Sequence, residues 1–449
     1  MSEIESDSRM NILFVHENAG PSGGAETNIQ ITAEELKRRG HSLALLYSSP
    51  TKGLPWQNVF PERFCLDHSE TPYTESKSTA QLVLRDFKPD VVYVHKVRNL
   101  DVFSALQGNG VPVVRMVHDH EAYCLRKYKY NPITRAICTR SASGFCVFPC
   151  LAPLARNRGG SFPIKWASYG DRRRELRLSR NCDEVIVYSE YSREELIKNG
   201  FDANKIHIHV PIRCWGNDVP VSSFSARNLV LFAGQIIRGK GLDLLLRALS
   251  KLTVPFECLI LGDGSHRRYC ETLCTKLQLE QRVKFVGYIP HDQMREFYLQ
   301  ASVFAMPSVW PEPFGMAGPE AMRYGLPVVA FDAGGVSEWL RDGENGFLAP
   351  WMDTETFAAR LQLLLTDKDL ARHLGENGRN RVNTQYSARS QVSRLEYLFS
   401  KLAKEGLFMA KHRSSPTAGG RTAAQSFKLD GRQPMIGKTT VGTTPADAL

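Results

Sequence analysis

A glycine-rich turn, two glutamates, one histidine and four cysteines are the residues of this 449-residue chain whose types and spacing suit chemistry. Gly234-Gln-Ile-Ile-Arg-Gly-Lys-Gly241 follows an apolar run and precedes a leucine-rich stretch. It fits the G-x-x-x-x-G-K part of a nucleotide-binding loop. The residue after Lys240 is Gly241, where Ser or Thr would hold Mg²⁺, so an NTPase of that class is disfavoured. What remains is a turn at a helix N-terminus, whose unpaired N–H groups and positive dipole end suit a phosphate. Arg238 and Lys240 would add full charges to the same anion. The plainer reading is a tight strand-to-helix turn with solvated basic residues.

Glu312 and Glu320 lie eight positions apart across a Gly-Pro-rich loop. In that loop Phe314, Gly315, Met316 and Ala317 can aim N–H groups at an anion while the carboxylates accept hydrogen bonds from sugar or ribose hydroxyls. Spacing alone also admits a surface acid and a first-turn helix acid favoured by the dipole. His118, after the apolar run Pro112–Val117, taken alone reads as a strand-end histidine. Cys124, Cys138, Cys146 and Cys150 follow the pattern C-x13-C-x7-C-x3-C. Four thiolates can close a structural zinc site, but without paired C-x-x-C knuckles, free thiols in an irregular loop are the plainer reading and a disulfide the least favoured. Asp367-Lys-Asp369 is formally D-x-D, and its place before a helical stretch favours capping.

The elements that must hold these residues alternate β-rich and helical runs, the pattern of parallel sheets covered by helices. Strands are expected at Asn11–His16, Ser42–Tyr47, Asp90–His95, Pro112–His118 and Glu184–Ser189, with a helix from Ala25 to Arg39. A second series starts at Asn228–Ala233 and continues through Cys258–Gly262, Val283–Gly287, Val303–Pro307 and Pro327–Phe331. Cys214–Ala226 reads as the linker between them, and two such halves leave a ligand cleft between them. The expected organisation is a loose start at 1–9, an N-terminal Rossmann-like domain at 10–214, a C-terminal one at 215–385, a helix at 386–411 and a disordered tail at 412–449.

Composition is ordinary for a globular protein, 42% hydrophobic and 23% charged, which excludes collagen-like, coiled-coil and wholly disordered chains. No apolar run is long enough to span a membrane as a helix, and the polar, acidic start is unlike a secretory signal. The expected location is cytoplasmic, with peripheral attachment to the cytoplasmic face of a membrane. The net charge of +10 is concentrated: Ala122–Arg180 holds 13 Lys and Arg against Asp171 and Glu175, leaving the rest of the chain near neutral. Such a stretch points to an anionic partner or to a solvated face. Without nucleic-acid-binding motifs, an anionic membrane surface is expected and nucleic acid is not.

The run Pro307-Ser-Val-Trp-Pro-Glu-Pro-Phe-Gly-Met-Ala-Gly-Pro-Glu-Ala-Met-Arg-Tyr-Gly-Leu-Pro-Val-Val-Ala330 resembles the E-x7-E signature region of the retaining glycosyltransferases of family four. The resemblance extends in order from Met10 to about Tyr397. It implies the GT-B fold, an α/β architecture of two Rossmann-like doubly wound domains facing across a cleft. Gly23-Gly24-Ala25-Glu26 resembles the family's loop that approaches the donor diphosphate, and Val117-His118-Asp119 its V-H-D, whose His contacts the transferred sugar. Leu261–Gly264, which contains Gly262, and Phe285–Pro290, which contains Ile289, resemble the turns beside the nucleotide base.

By that resemblance Glu312, His118 and Lys240 are the catalytic residues. Gly23, Gly24, Gln235, Arg238, Phe314, Gly315, Met316, Ala317, Glu320, Gly262 and Ile289 are the donor-binding ones. The family commonly has Arg where this chain has Gln235, so Arg238 is expected to supply the missing charge. The resemblance implies transfer of a sugar from a nucleotide-diphosphate sugar to a glycan or lipid-linked acceptor, in cell-surface polysaccharide or lipopolysaccharide synthesis. The acceptor hydroxyl attacks from the front face and the leaving phosphate takes its proton. No catalytic metal or cofactor is expected, the only metal reading being structural zinc on the four cysteines. The alternatives are a sugar-nucleotide epimerase and a non-catalytic sugar-nucleotide-binding or membrane scaffold.

Overall fold

The computed structural model describes residues 9–413 apart from 21–22, 50–55, 67–72, 132, 157–163, 167, 212–218 and 225–227. The loose start, the tail and much of the linker expected from the sequence fall largely outside the described residues. Each half is a parallel sheet. The first holds β1 (Asn11–Asn18), β2 (Ser42–Ser49), β3 (Glu62–Cys65), β4 (Val91–Val94), β5 (Val113–Met116), β8 (Glu184–Val187) and β9 (Ile206–Ile208), in the order β3-β2-β1-β4-β5-β8-β9. A short antiparallel ribbon, β6 (Leu154–Arg156) and β7 (Ile164–Trp166), stands apart from it.

The second sheet holds β10 (Leu229–Ala233), β11 (Glu257–Leu261), β12 (Val283–Gly287), β13 (Val303–Met306), β14 (Val328–Phe331) and β15 (Gly346–Ala349), in the order β12-β11-β10-β13-β14-β15. In both, the order reverses beside the first strand, the doubly wound arrangement that opens a crevice at the carboxyl ends of the central strands. The expected pair of Rossmann-like domains is therefore present. β3, β9 and β15 are additions, each of three or four residues, too short to show alternation.

Both faces of each sheet are covered, as parallel strands require. Ile12 and Phe14 of β1 enter one core while Leu13 and Val15 enter another. Likewise Leu231 of β10 faces one core, and Val230 and Phe232 face a second. The helix Leu242–Leu249 after β10 buries seven of its eight residues, with Asp243 and Arg247 on one face and Arg247 alone exposed. At roughly 1.5–3 kcal/mol for each large apolar side chain buried, that helix is firmly seated, and it fixes the turn before it.

The helix Ala388–Arg413 leaves the second half and packs on the first. Arg39 Nη1 donates to Glu396 Oε2 at 2.8 Å, His41 Nε2 meets Glu396 Oε1 at 2.8 Å, and Phe399 stacks edge-on to Tyr93. Asp367 accepts from the Leu370 N–H at 2.9 Å, so the D-x-D sequence is a helix cap.

Candidate active site

The turns after β10, β11 and β12 are stacked by backbone hydrogen bonds. Gly234 N donates to Leu261 O at 3.0 Å and Gly262 N to Gly287 O at 2.7 Å. Gly262 has φ +133°, and a Cβ there would lie 1.9 Å from Gly234 O. Gly241, at φ +68°, would put a Cβ 1.8 Å from Pro307 O. These two positions require glycine, because other residues strain at such φ values and have no room. The turn after β10 is thus pressed against both neighbours, β11 and β13, at the crevice. Ile289 is partly buried against the core on that side.

Glu312 follows β13 and is 3% exposed. Its Oε1 accepts from Lys240 Nζ at 2.7 Å and from Ser308 Oγ at 2.6 Å. Lys240 also lies 4.9 Å from the centroid of the Trp310 ring. The structure therefore brings Lys240 and Glu312, 72 residues apart, into one charge-assisted pair. Glu320 is on the helix Ala317–Arg323, 4% exposed, with Oε1 at 3.0 Å from His291 Nε2. Between the glutamates Phe314 is buried, and its carbonyl accepts from Trp339 Nε1 at 2.6 Å, which fixes the loop carrying Gly315, Met316 and Ala317.

The turn's two basic side chains meet different partners, Lys240 the carboxylate of Glu312 and Arg238 the first half of the chain. Gln235 and Arg238 are both exposed, and Arg238 Nη2 donates to Ile133 O at 3.1 Å, so this contact directs it toward the other half of the chain.

The first half closes the site from the opposite side. Gly23 and Gly24 open the helix Gly24–Arg38, and a Cβ on Gly24 would lie 4.0 Å from Met316 Sδ. His118 follows β5 and keeps partial exposure. Its Nε2 is 2.9 Å from His95 Nδ1 and its Nδ1 is 2.6 Å from Tyr188 Oη. Burial, helped by the charges of His16 and Arg115, pushes its pKa down to about 3, and burial also holds His95 well below the usual range. His118 is therefore neutral near pH 7 with both ring nitrogens in contact with protein groups. It reaches a sugar hydroxyl through nitrogen only by giving up one of them.

Several residues outside the sequence reading grip the glutamate loop. His120, fully buried, has Nε2 at 2.6 Å from Pro311 O and Nδ1 at 2.7 Å from Tyr123 Oη. Ser189 Oγ donates to Pro313 O, and Tyr191 N donates to Glu338 Oε1 at 3.0 Å. The carbonyls on either side of Glu312 are thus both held by the opposite half. No local spacing signals this.

The four cysteines are free thiols. Among the described residues no three or more His, Cys, Asp or Glu side chains are grouped so as to hold a metal ion, so the tetrahedral set is not assembled. Cys124 is partly exposed, with its thiol pushed up by desolvation and its sulfur accepting from the Lys129 and Arg126 N–H groups. Cys150 is exposed and accepts from Arg126 Nε at 3.3 Å.

The basic stretch is also partly consumed. Lys129 pairs with Glu195 at 2.9 Å, both side chains 3% exposed or less, and Arg135 pairs with Asp243. The same stretch exposes Ile133 (80%), Phe148 (76%) and Phe145 (54%).

Comparison with known proteins agrees with this arrangement. Residues 22–209 match the Glycosyltransferase Family 4 model, and residues 218–381 the Glycosyl transferases group 1 model. The lipopolysaccharide core biosynthesis glycosyltransferase LpsE of Rhizobium meliloti is 30% identical over 246 residues, covering 53% of this chain and 70% of that protein. The chain belongs to the family-four glycosyltransferases. It spans 41% to 70% of the length of the first curated relatives it matches.

The GT-B fold of this glycosyltransferase is shared with HepE of Anabaena, solved with UDP and glucose (TM-score 0.67, 20% identity, 88% of this chain and 100% of that one). It is shared also with sucrose-phosphate synthase of Thermosynechococcus elongatus (TM-score 0.66, 20% identity, 90% and 100%). No helix among the described residues is long and apolar enough to cross a membrane.

Proposed function

We propose that this glycosyltransferase moves a sugar from a nucleotide-diphosphate sugar to a glycan or lipid-linked acceptor with retention of configuration, in cell-surface polysaccharide or lipopolysaccharide synthesis. The observation that carries the reading is Lys240 Nζ at 2.7 Å from Glu312 Oε1 where β10 and β13 part. A donor diphosphate entering there meets the ammonium and the Gly-rich turn. Negative charge builds on the leaving phosphate as the glycosidic bond breaks, and a preorganised cation aimed at it is the largest stabilising effect the site offers. Glu312, freed in part from Lys240, accepts from sugar hydroxyls, and Glu320 accepts from the ribose. The acceptor hydroxyl attacks on the face the phosphate leaves and gives that phosphate its proton. Neither a protein nucleophile nor a metal is required by this scheme.

Because HepE was solved with UDP, uridine is the first base to test. Thermal unfolding in EDTA is measured with UDP, GDP, ADP, dTDP and CDP. A ligand at 100 times its Kd adds about 2.7 kcal/mol, so the expected result is an upward shift with one base. No shift with any of them overturns the reading and favours the scaffold alternative.

The acceptor side favours an anionic membrane surface. The exposed Ile133, Phe145 and Phe148 lie in the same stretch as its many cations, and each Lys or Arg near such a surface contributes about 1 kcal/mol. Sedimentation with phosphatidylglycerol vesicles is expected to pull the protein down at low salt and to weaken after Phe145→Ser with Phe148→Ser. Equal binding to phosphatidylcholine vesicles, or none to either, overturns it.

A further inference from the structure

The first half sends a hairpin across the cleft onto the turn assigned to the donor diphosphate. Tyr130 and Ile137 form its bridge, and the Asn131 side chain accepts from the Ile133 and Thr134 N–H groups at 2.8 and 3.1 Å. Arg135 N closes the tip on Asn131 O at 2.8 Å, with Arg135 itself at φ +66°. The tip touches three successive parts of the donor half. The Ile133 carbonyl accepts from Arg238. The Tyr130 ring and hydroxyl stand over Gly239, where a Cβ would be 3.2–3.3 Å away. Arg135 Nη2 donates to both oxygens of Asp243 at 3.0 and 2.9 Å.

Arg135 and Asp243 are 6% and 5% exposed, and Asp243 sits in the first turn of the helix that follows the turn. His266 Nε2 is 3.9 Å from Asp243 and too far for a hydrogen bond, while burial lowers the pKa of that imidazole. The full positive charge facing Asp243 at hydrogen-bond distance is therefore the one delivered from the opposite half.

We propose that Arg135 is a positioning residue for the donor: through Asp243, and with the hairpin on Arg238 and Gly239, it holds the Gly234–Gly241 turn in shape and the two halves in their closed arrangement. This rests on the reading of that turn as the diphosphate site. A donor that binds the closed form alone has its apparent affinity reduced by the fraction of molecules that are closed. Breaking the clamp lowers that fraction and leaves the reacting groups untouched. The consequence is a loss in donor binding and a raised donor KM with kcat kept. A buried pair broken on one side is worse than a pair removed whole, and partners in direct contact act non-additively.

The test is calorimetric titration of UDP, GDP, ADP, dTDP and CDP in EDTA, together with the radius of gyration by small-angle X-ray scattering without nucleotide. For the nucleotide that binds wild type, Arg135→Gln is expected to weaken binding tenfold or more and to enlarge the free protein. Saturating nucleotide returns it to wild-type size. Arg135→Lys stays within about threefold, Asp243→Asn weakens binding, and the double variant is no weaker than Arg135→Gln. Tyr130→Ala, which loosens the hairpin without leaving a charge unpaired, moves both readouts in the same direction by less, and it carries the test if Arg135→Gln does not fold. Wild-type affinity and size in Arg135→Gln, or additive losses in the double variant, overturn the proposal. Failure of wild type to bind any of the five nucleotides overturns instead the diphosphate reading on which it stands.

Discussion

The Gly234–Gly241 turn and the segment from Tyr123 to Arg156 both pair basic residues with backbone in the left-handed region, but they hold that backbone differently. In the turn the positive-φ positions are both glycines, Gly234 and Gly241, the second seated so closely on Pro307 that no side chain fits. In the segment the left-handed positions include Lys127, Lys129 and Arg135, at φ +69°, +55° and +66°. Each of these three is in an ion pair, with Glu121, Glu195 and Asp243 respectively. Such conformations cost of order 1–3 kcal/mol for residues other than glycine and persist where the surroundings over-determine them. The turn is held by exclusion of atoms, the segment by attraction between charges. A run of cations in a sequence thus conceals two populations, those that face solvent and those that hold the chain.

That contrast can be broken in four ways. The largest effect is expected from Gly241→Ala, which combines a strained φ with overlap on Pro307 O. It loses about 3 kcal/mol of stability in chemical denaturation, whereas Gly40→Ala, at φ +93° with nothing within 4 Å, loses about 1 kcal/mol. Equal losses at the two sites would remove the argument from exclusion. Next, Lys240→Ala lowers kcat by about 100-fold with the fold retained; steady-state kinetics with kcat unchanged would take Lys240 out of the chemistry.

Third, Lys129→Met leaves Glu195 buried with only the half-exposed Lys198 at 2.9 Å and costs about 2 kcal/mol, below the full cost of breaking a buried pair because that partner remains. Arg173→Met, at an exposed position of the same basic stretch, stays within about 0.5 kcal/mol. Indistinguishable denaturation midpoints would show one population of cations rather than two. The gentlest effect is on pH. His118 is held neutral with its pKa down to about 3 from an ordinary 6.5, so between these values the unfolded chain binds the proton and the folded one does not. Stability is then full above about pH 6.5 and declines as pH falls toward 3. His118→Phe is expected to flatten part of that decline in melting curves taken across the window; an unchanged slope would mean the imidazole titrates as in water.

The sequence makes the donor half more legible than the other. Glu312 and Glu320 became legible through the resemblance of their run to the family-four signature, whereas Gly234, Lys240 and Gly241 sit within eight residues because a strand, a turn and a helix succeed one another there. The alternation of strand and helix gave both central sheets for the same reason. The clamp and the grip on Glu312 were not legible. Arg135 meets Asp243 across 108 positions and His120 meets Pro311 across 191, and nothing local distinguishes these side chains from solvated neighbours. Arg238 adds a third long-range contact of this kind, its guanidinium donating to the carbonyl of Ile133 across 105 positions. The cysteine pattern assembles no metal-holding group among the described residues, where Cys150 is at the surface on the Arg126 guanidinium.

The return of the helix Ala388–Arg413 onto the first sheet has a consequence for the order in which the molecule is made. Arg39 leaves the ribosome long before its partner Glu396, 357 residues later, which at 5–20 residues per second is a delay of about 20 to 70 s. Through that interval His41 and Tyr93 lack the surface that covers them in the finished protein. Of the two domains, the one synthesised earlier is therefore the later to be completed, and a nascent chain stopped short of Ala388 offers chaperones an apolar face that this helix covers.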